Sequence, residues 1–324
     1  VVTVGGTLAA RIANCSRYGG PLSAFFEMTQ DVQAERKPEM SRGVVLEESV
    51  LAMMVQRMGG ALDPGRRVEA SALPHAHATL DALWAPDGGT RADSGAPWTI
   101  PDAKTANTEG MGADWGPDGS DEIPQEYVVQ LQWYHGVCRA AGMSVSDEAL
   151  LPTLCGPEVE LQWAARLVQK TGKSLALADL EGTGLELRVY RVEWDAELFQ
   201  ALNERVVQFL RDHVEPGIPP EPGPGDLLER DLRAVAKGLK GEPGRVLDFD
   251  RIPPAEQALY LELQDAHDQR LRWAKKEEQA AARVRLAMAT AEGVRGLPGG
   301  ARVTWRERQT GRVFKVEEPR GRKQ

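Results

Sequence analysis

The chain has 324 residues, 42% hydrophobic and 27% charged, the balance of a folded globular protein with room for one large domain or a domain plus an appendage. No apolar run approaches the roughly 18 residues of a membrane span, and no signal peptide is visible, so a cytoplasmic protein without a membrane partner is expected. The net charge is −9, which excludes a chain that is basic throughout. A nucleic-acid footprint must therefore be local, and from Arg270 onward basic residues outnumber acidic ones by roughly two to one. Cys15, Cys138 and Cys155 show no CxxC spacing, which argues against a zinc framework, a disulfide scaffold or a four-cysteine iron–sulfur cluster.

Gly5-Gly6-Thr7 opens an apolar, helix-patterned stretch, with Thr7 a good N-cap, and a segment with Ser16, Tyr18 and Pro21 follows. In S-R-G-V-V-L-E-E-S-V-L-A-M-M-V, residues Leu46, Val50, Met53 and Met54 form one stripe and Val45, Ser49 and Met53 another, so a largely buried helix is expected. Glu47 flanks that stripe. H-A-H-A-T-L-D-A-L-W-A-P-D-G-G reads as one strand entering a turn at Pro86–Gly89. His75 and His77 read as strand-edge side chains, because Mg²⁺ sites prefer oxygen ligands.

W-T-I-P-D-A-K reads as a short strand on which Trp98, Ile100, Asp102 and Lys104 share one face, with Ala103 turned inward. A carboxylate beside an ammonium suits metal-assisted hydrolysis of a phosphodiester: the carboxylate holds a divalent cation and the lysine stands beside the water. An Asp- and Gly-rich loop comes next, read as mobile until a ligand arrives. A helix opened by Ile123-Pro124 then presents Tyr127, Gln130, Leu131 and Tyr134 on one face. Two aspartates can supply a second carboxylate. Asp81 is embedded in an apolar strand, where a charge needs a cation or partner; Asp87 follows a proline inside a turn signal. The burial argument favours Asp81.

An acid on the preceding strand, D-x-K, and an I-P-x-x-Y-x-x-Q helix together resemble the YqaJ-type viral recombinase family. That family is similar to phage lambda exonuclease within the PD-(D/E)xK nucleases. Further landmarks are Gly5-Gly6-Thr7, the Arg42-Gly43…Glu47 spacing and the T-L-D of Asp81. Asp102 stands where the family usually has Glu, one methylene longer. The resemblance implies an α/β fold: a restriction-endonuclease-like core, with a central mixed sheet flanked by helices. It implies a 5′-to-3′ exonuclease that resects linear double-stranded DNA ends, with Asp81, Asp102, Lys104 and Gln130 catalytic. Mg²⁺, with Mn²⁺ as a substitute, is expected on Asp81, Asp102, the Ala103 carbonyl and Glu47, the last as a ligand or through water. Thr7, Arg11 and Tyr127 are expected to meet DNA. Partners implied are a single-strand annealing protein and, in a ring, two further copies of the chain. The alternatives are a flap-trimming endonuclease and an inactive DNA-binding or assembly module.

L-Q-W-Y-H-G-V-C-R-A-A-G-M-S recurs 30 residues on as L-Q-W-A-A-R-L-V-Q-K-T-G-K-S, so the helix is duplicated, with Glu160 where the first copy has Gln130. L-A-L-A-D-L and L-E-L-R-V-Y-R-V-E-W-D are expected to pair as a hairpin around Glu181–Gly184, followed by a helix from Glu197 to His213. The Pro/Gly-rich stretch after Pro216 marks the end of a catalytic domain spanning 1–220. A linker with a short helix is expected over 221–253. A helical arm and a basic hairpin follow over 254–324, with Leu259, Leu263, Ala266, Leu271 and Ala274 as the apolar stripe of the arm. Arg302 and Trp305 of the hairpin are candidates for phosphate and base contacts.

Overall fold

The computed structural model describes residues 3–30, 38–88, 96–108, 111, 114–223, 254–288, 293–294, 302–308 and 311–317. The chain divides into two units, Val1–Lys240 and Gly241–Gln324.

The first unit is organised on β7 (Val145–Gly156), whose residues from Ala149 onward are all buried. β8 (Glu186–Glu193) runs antiparallel along one edge of it. β5 (Trp98–Pro101) and β6 (Lys104–Asn107) run parallel along the other, and β4 (Ala82–Ala85) and β1 (Ala61–Pro64) extend the sheet beyond β5. This is the expected central mixed sheet. β7 sends alternate side chains to two cores, as the period of two requires. Ala149 and Leu151 face a cluster with α1 (Gly6–Ile12), α2 (Pro21–Gln30), α4 (Gln125–Ala140) and α6 (Ala196–Phe209). Leu150 and Leu154 face a second cluster with α3 (Pro38–Met58) and α5 (Glu158–Thr171). α4 meets α6 closely at Gly136, where the ring of Phe199 fills the space a methyl group would need.

β5 and β6 are one strand with an interruption. Pro101 pairs with Leu150 and Lys104 with Thr153, the same three-residue step on both chains, so the register survives the gap. By that register Pro152 falls opposite Ala103, and proline has no N–H to give to a ladder. Asp102 N–H still reaches the Leu150 carbonyl at 2.9 Å. The pairing lapses at the D-x-K tripeptide.

Several expectations change. The strand read through His75, Asp81 and Leu83 is two: β3 (Leu73–Thr79) pairs with β2 (Arg67–Ala70) in a small separate sheet, and β4 joins the central one. Asp81 lies in the bend between them. Thr7 is not the N-cap of α1; Gly5 is, without a side-chain cap. L-A-L-A-D-L does not form half of a hairpin. Leu177–Leu180 is a 3-10 turn, closed by Asp179, whose carboxylate accepts from Ala176 N–H at 2.8 Å, and β8 pairs with β7 instead. The described part of the Asp/Gly-rich loop is held in place. Asp118 accepts from Arg57 and from Val189 N–H, Gly119 N–H reaches the Val189 carbonyl and Arg191 N–H the Ser120 carbonyl. Both copies of the repeat are helices, within α4 and α5.

The second unit holds α7 (Pro254–Met288) and an antiparallel three-stranded sheet of β9 (Gly293–Val294), β10 (Arg302–Arg308) and β11 (Gly311–Glu317). On α7, Leu271 and Trp273 are exposed, and Lys276 lies over the Trp273 ring at 4.7 Å. None of the described helices is long and apolar enough to cross a membrane.

His135 of α4 is buried edge-on against Trp194, and its Nε2 has no hydrogen-bond partner. Burial, and then the nearby Arg139 charge, hold its pKa down to about 4. Between that value and the unfolded value near 6.5 the unfolded chain binds the extra proton, so this residue costs stability as pH falls through that window. At pH 5 the cost is about 2 kcal/mol. Denaturant unfolding at pH 7.5 and pH 5 should show His135→Phe losing less stability on acidification than the parent by about that amount.

Candidate active site

The interruption in the β5–β6 strand gathers the chemistry. Successive backbone groups alternate in direction, so while Asp102 N–H bonds to β7, Ala103 N–H points the other way. It donates to Asp81 Oδ2 at 2.8 Å. The bend after β3 thereby fastens its carboxylate to the D-x-K tripeptide. Asp87 lies in the exposed turn after β4, so of the two aspartates Asp81 is the one brought to the site. Asp102 is 1% exposed. Its Oδ2 forms an ion pair with Lys104 Nζ and is otherwise without a hydrogen-bond partner. Asp102 and Lys104 share a face, as their parity requires, and Ala103 packs against the α3–α5 core.

α4 approaches from the other side. Gln130 Nε2 donates to Tyr134 Oη at 2.7 Å and to Asp102 Oδ1 at 3.4 Å. The Tyr127 ring stands 5.5 Å from Lys104 Nζ. α1 is packed so tightly on this part of α4 that a methyl group on Gly6 would lie 2.8 Å from Gln130 Cγ and 2.9 Å from Tyr134 Cε1. Neighbouring Gly5 faces the His77 ring just as closely. The G-G-T opening is thus a close-approach requirement that sets α1 beside Gln130.

The electrostatics follow from burial and like charge. Burial first, and then the Asp102 charge, push the Asp81 carboxyl up to about 8, against the pull of Lys104. Burial raises Glu47 of α3 as well; Lys104 opposes this and Asp102 adds to it. Burial alone would lower Lys104, but Asp102, Asp81 and Glu47 together raise it above its ordinary value, so it is held as an ammonium. A buried pair of carboxylates calls for a further cation. Among the described residues no three His, Cys, Asp or Glu side chains form a ready metal cage. Mg²⁺ does not need one: it is held by one or two carboxylates and keeps several waters. Asp81, Asp102 and the Ala103 carbonyl are an oxygen-only donor set of that kind, and the incompletely bonded Oδ2 of Asp102 fits it.

The other expected residues lie differently. Thr7 is exposed on α1, and Arg11 is ion-paired with Glu27 of α2. Arg42 is buried in an ion pair with Glu158. His75 bonds Asn203, outside the carboxylate cluster. Glu160 packs towards Gly184 rather than towards Asp102. Arg302 and Trp305 lie on β10 opposite Glu317 and Phe314; their side chains lie outside the described residues. The sequence reading missed Trp115, whose ring is 5.6 Å from Tyr127 and 5.4 Å from Tyr190. The only signal was a tryptophan in an otherwise acidic loop.

A broken strand in a mixed sheet thus joins two carboxylates, a lysine and a glutamine, a set suited to holding a divalent cation beside a water. Residues 2–143, somewhat less than half of the chain, match the YqaJ-like viral recombinase domain. Two crystal structures of an alkaline exonuclease (LHK-Exo) from Laribacter hongkongensis, one in complex with dAMP, are similar at 16% identity. Each alignment has a TM-score of 0.41 and covers 72% of this chain and 94% of the exonuclease chain. No curated protein matches the chain.

Gly6→Ala should force α1 and Gln130 apart, lowering stability in a denaturant melt by about 1–3 kcal/mol and slowing DNA cleavage. Gly43→Ala, with open space around the added methyl, should lower neither.

Proposed function

We propose that the chain is a metal-dependent DNA exonuclease that digests one strand of a linear duplex from its end, 5′ to 3′, to prepare it for recombination. The observation that carries this reading is the hydrogen bond from Ala103 N–H to Asp81. It ties a buried first acid to the D-x-K tripeptide, as hydrolysis of a phosphodiester requires.

Asp81, Asp102 and the Ala103 carbonyl would hold Mg²⁺, with Glu47 reaching it directly or through water. Such an ion, when bound, would supply Lewis acidity and lower the pKa of a water it holds. Lys104 is kept protonated by three carboxylates, so it serves as a donor that positions the attacking water rather than as its base. Gln130, braced by Tyr134, orients Asp102. The Tyr127 ring restricts the Lys104 ammonium by a cation–π contact. Thr7, exposed on α1, would meet DNA there, whereas Arg11 would have to leave Glu27 to do so. The proposal extends to 1–220 as the catalytic domain and to the basic hairpin of 302–317 as a DNA contact. It also extends to an annealing protein as partner, a trimeric ring and a cytoplasmic setting, all implied by family likeness.

Turnover on an end-labelled linear duplex, against closed circular DNA and with and without EDTA, tests the reading. Lys104→Ala should lower the rate by about 100-fold or more while Mg²⁺ and DNA still bind. Asp81→Asn should raise the Mg²⁺ requirement, with partial rescue by Mn²⁺. Cleavage that survives chelation, or a wild-type rate in Lys104→Ala, sinks the mechanism; cutting of circles at the linear rate sinks the exonuclease assignment.

The duplicated helix gives a second test. Gln130→Ala should reduce cleavage much more than Glu160→Gln, because only Gln130 reaches Asp102. Assays of both variants under matched conditions, with the opposite order observed, would mean that α5 rather than α4 serves the site.

A further inference from the structure

α7 is 35 residues long, and from Tyr260 to Lys276 every described residue on it is exposed, Trp273 at 68%. A helix open to solvent over several turns gains little from packing, although packing is the main source of helix stability in water. Its sequence is nevertheless patterned. Positions three and four apart share a helix face. From Leu259, steps of four, three, four and three lead through Leu263, Ala266 and Arg270 to Trp273. From Met288, the same steps taken backwards lead through Val284, Ala281 and Glu277 to Ala274. The face reads alike from both ends, and the two readings meet at Trp273–Ala274.

The charge of the helix is also divided. Residues 254–268 include Glu256, Glu262, Asp265 and Asp268 and no lysine or arginine; residues 269–288 include six basic residues against Glu277 and Glu278. A DNA backbone would suit only the second half. A copy of the same helix, reversed, suits both halves at once.

We propose that α7 pairs antiparallel with α7 of a second copy of the chain, about a two-fold axis at Trp273–Ala274. In that register position Leu259 falls opposite Met288, Leu263 opposite Val284 and Ala266 opposite Ala281, so large meets large and small meets small. Arg270 falls opposite Glu277, and the axis makes this pair occur twice. Trp273 of each copy falls opposite Ala274 of the other, where the small residue leaves room for the ring. A parallel pairing in register sets Arg270 on Arg270 and the acidic halves on each other, and like charges in a helix seam select against such a partner. The contact is the same patch on both copies, so it closes at two. It stands independently of the nuclease reading.

The test uses the full chain. Ala266, Arg270 and Ala274 are exposed, so changes there leave the fold of the first unit intact. Under mild oxidation Ala274→Cys should yield a disulfide-linked pair of chains on a non-reducing gel, with the parent chain and its three cysteines as the blank. Ala266→Cys and Ala281→Cys should each fail to link to themselves, whereas the double variant should link. In sedimentation over a range of concentrations, Arg270→Glu should weaken the pairing by about tenfold or more, and Arg270→Glu/Glu277→Arg should restore it. Self-linking of Ala266→Cys means parallel helices and overturns the proposal. So does an Ala274→Cys chain that does not link, or a double charge exchange that does not restore the pairing. Arm variants that change DNA binding but leave sedimentation unaltered assign α7 to DNA and overturn it as well.

Discussion

The hydrogen bond from Ala103 N–H to Asp81 holds the site together. Alternate backbone groups of the β5–β6 strand face β7, and Ala103 N–H faces away from it, so it can anchor Asp81 from the bend between β3 and β4. Pro152, opposite Ala103, has no N–H to give to this strand, and the ladder lapses there without disturbing the register on either side. Two buried carboxylates repel, and their meeting depends on this hydrogen bond, on Lys104 and on the cation the donor set would accept. Such a cluster costs folding stability, as local strain and buried charge at functional sites commonly do, and two separate hydrophobic cores surround the sheet that carries it.

The neighbours of the pair divide their tasks. Glu47 adds negative charge from α3, which strengthens the hold on a cation but also raises the cost of leaving the site without one. Tyr134 and Gly6 act at one remove: the first gives Gln130 a second bond, the second lets α1 come close enough to keep that side chain from swinging away.

Much of this was legible because it is local. The parity of Asp102 and Lys104, the Pro124 start of α4 and the Tyr127–Gln130–Tyr134 face are set by the short-range periodicities of strand and helix. What escaped was decided by distant partners. The break at Leu80–Asp81 is invisible in an alternating apolar run, because β2 captures β3 through pairs such as Val68 with Ala78. L-A-L-A-D-L alternates like a strand, but Leu175 and Leu177 give their N–H groups to Ser49 and Gln56 of α3, leaving no ladder to join. The acidic loop read as mobile because its composition says so; Asp118 is consumed by Arg57 and Val189, an ion pair and a backbone bond that no spacing rule announces. Thr7 is a good cap by type, but α1 starts at Gly6 with Gly5 as its cap, which puts Thr7 inside the first turn.

That pinned loop has a consequence for assembly. β8 is an outer strand of the sheet, and an uncovered outer strand is a template on which another chain can add itself. Residues 118–120 take up its outward backbone groups at Val189 and Arg191, while the opposite outer strand, β1, is only four residues long and contains Asp63 and Pro64. Extension of the central sheet from molecule to molecule is therefore discouraged at both of its outer strands.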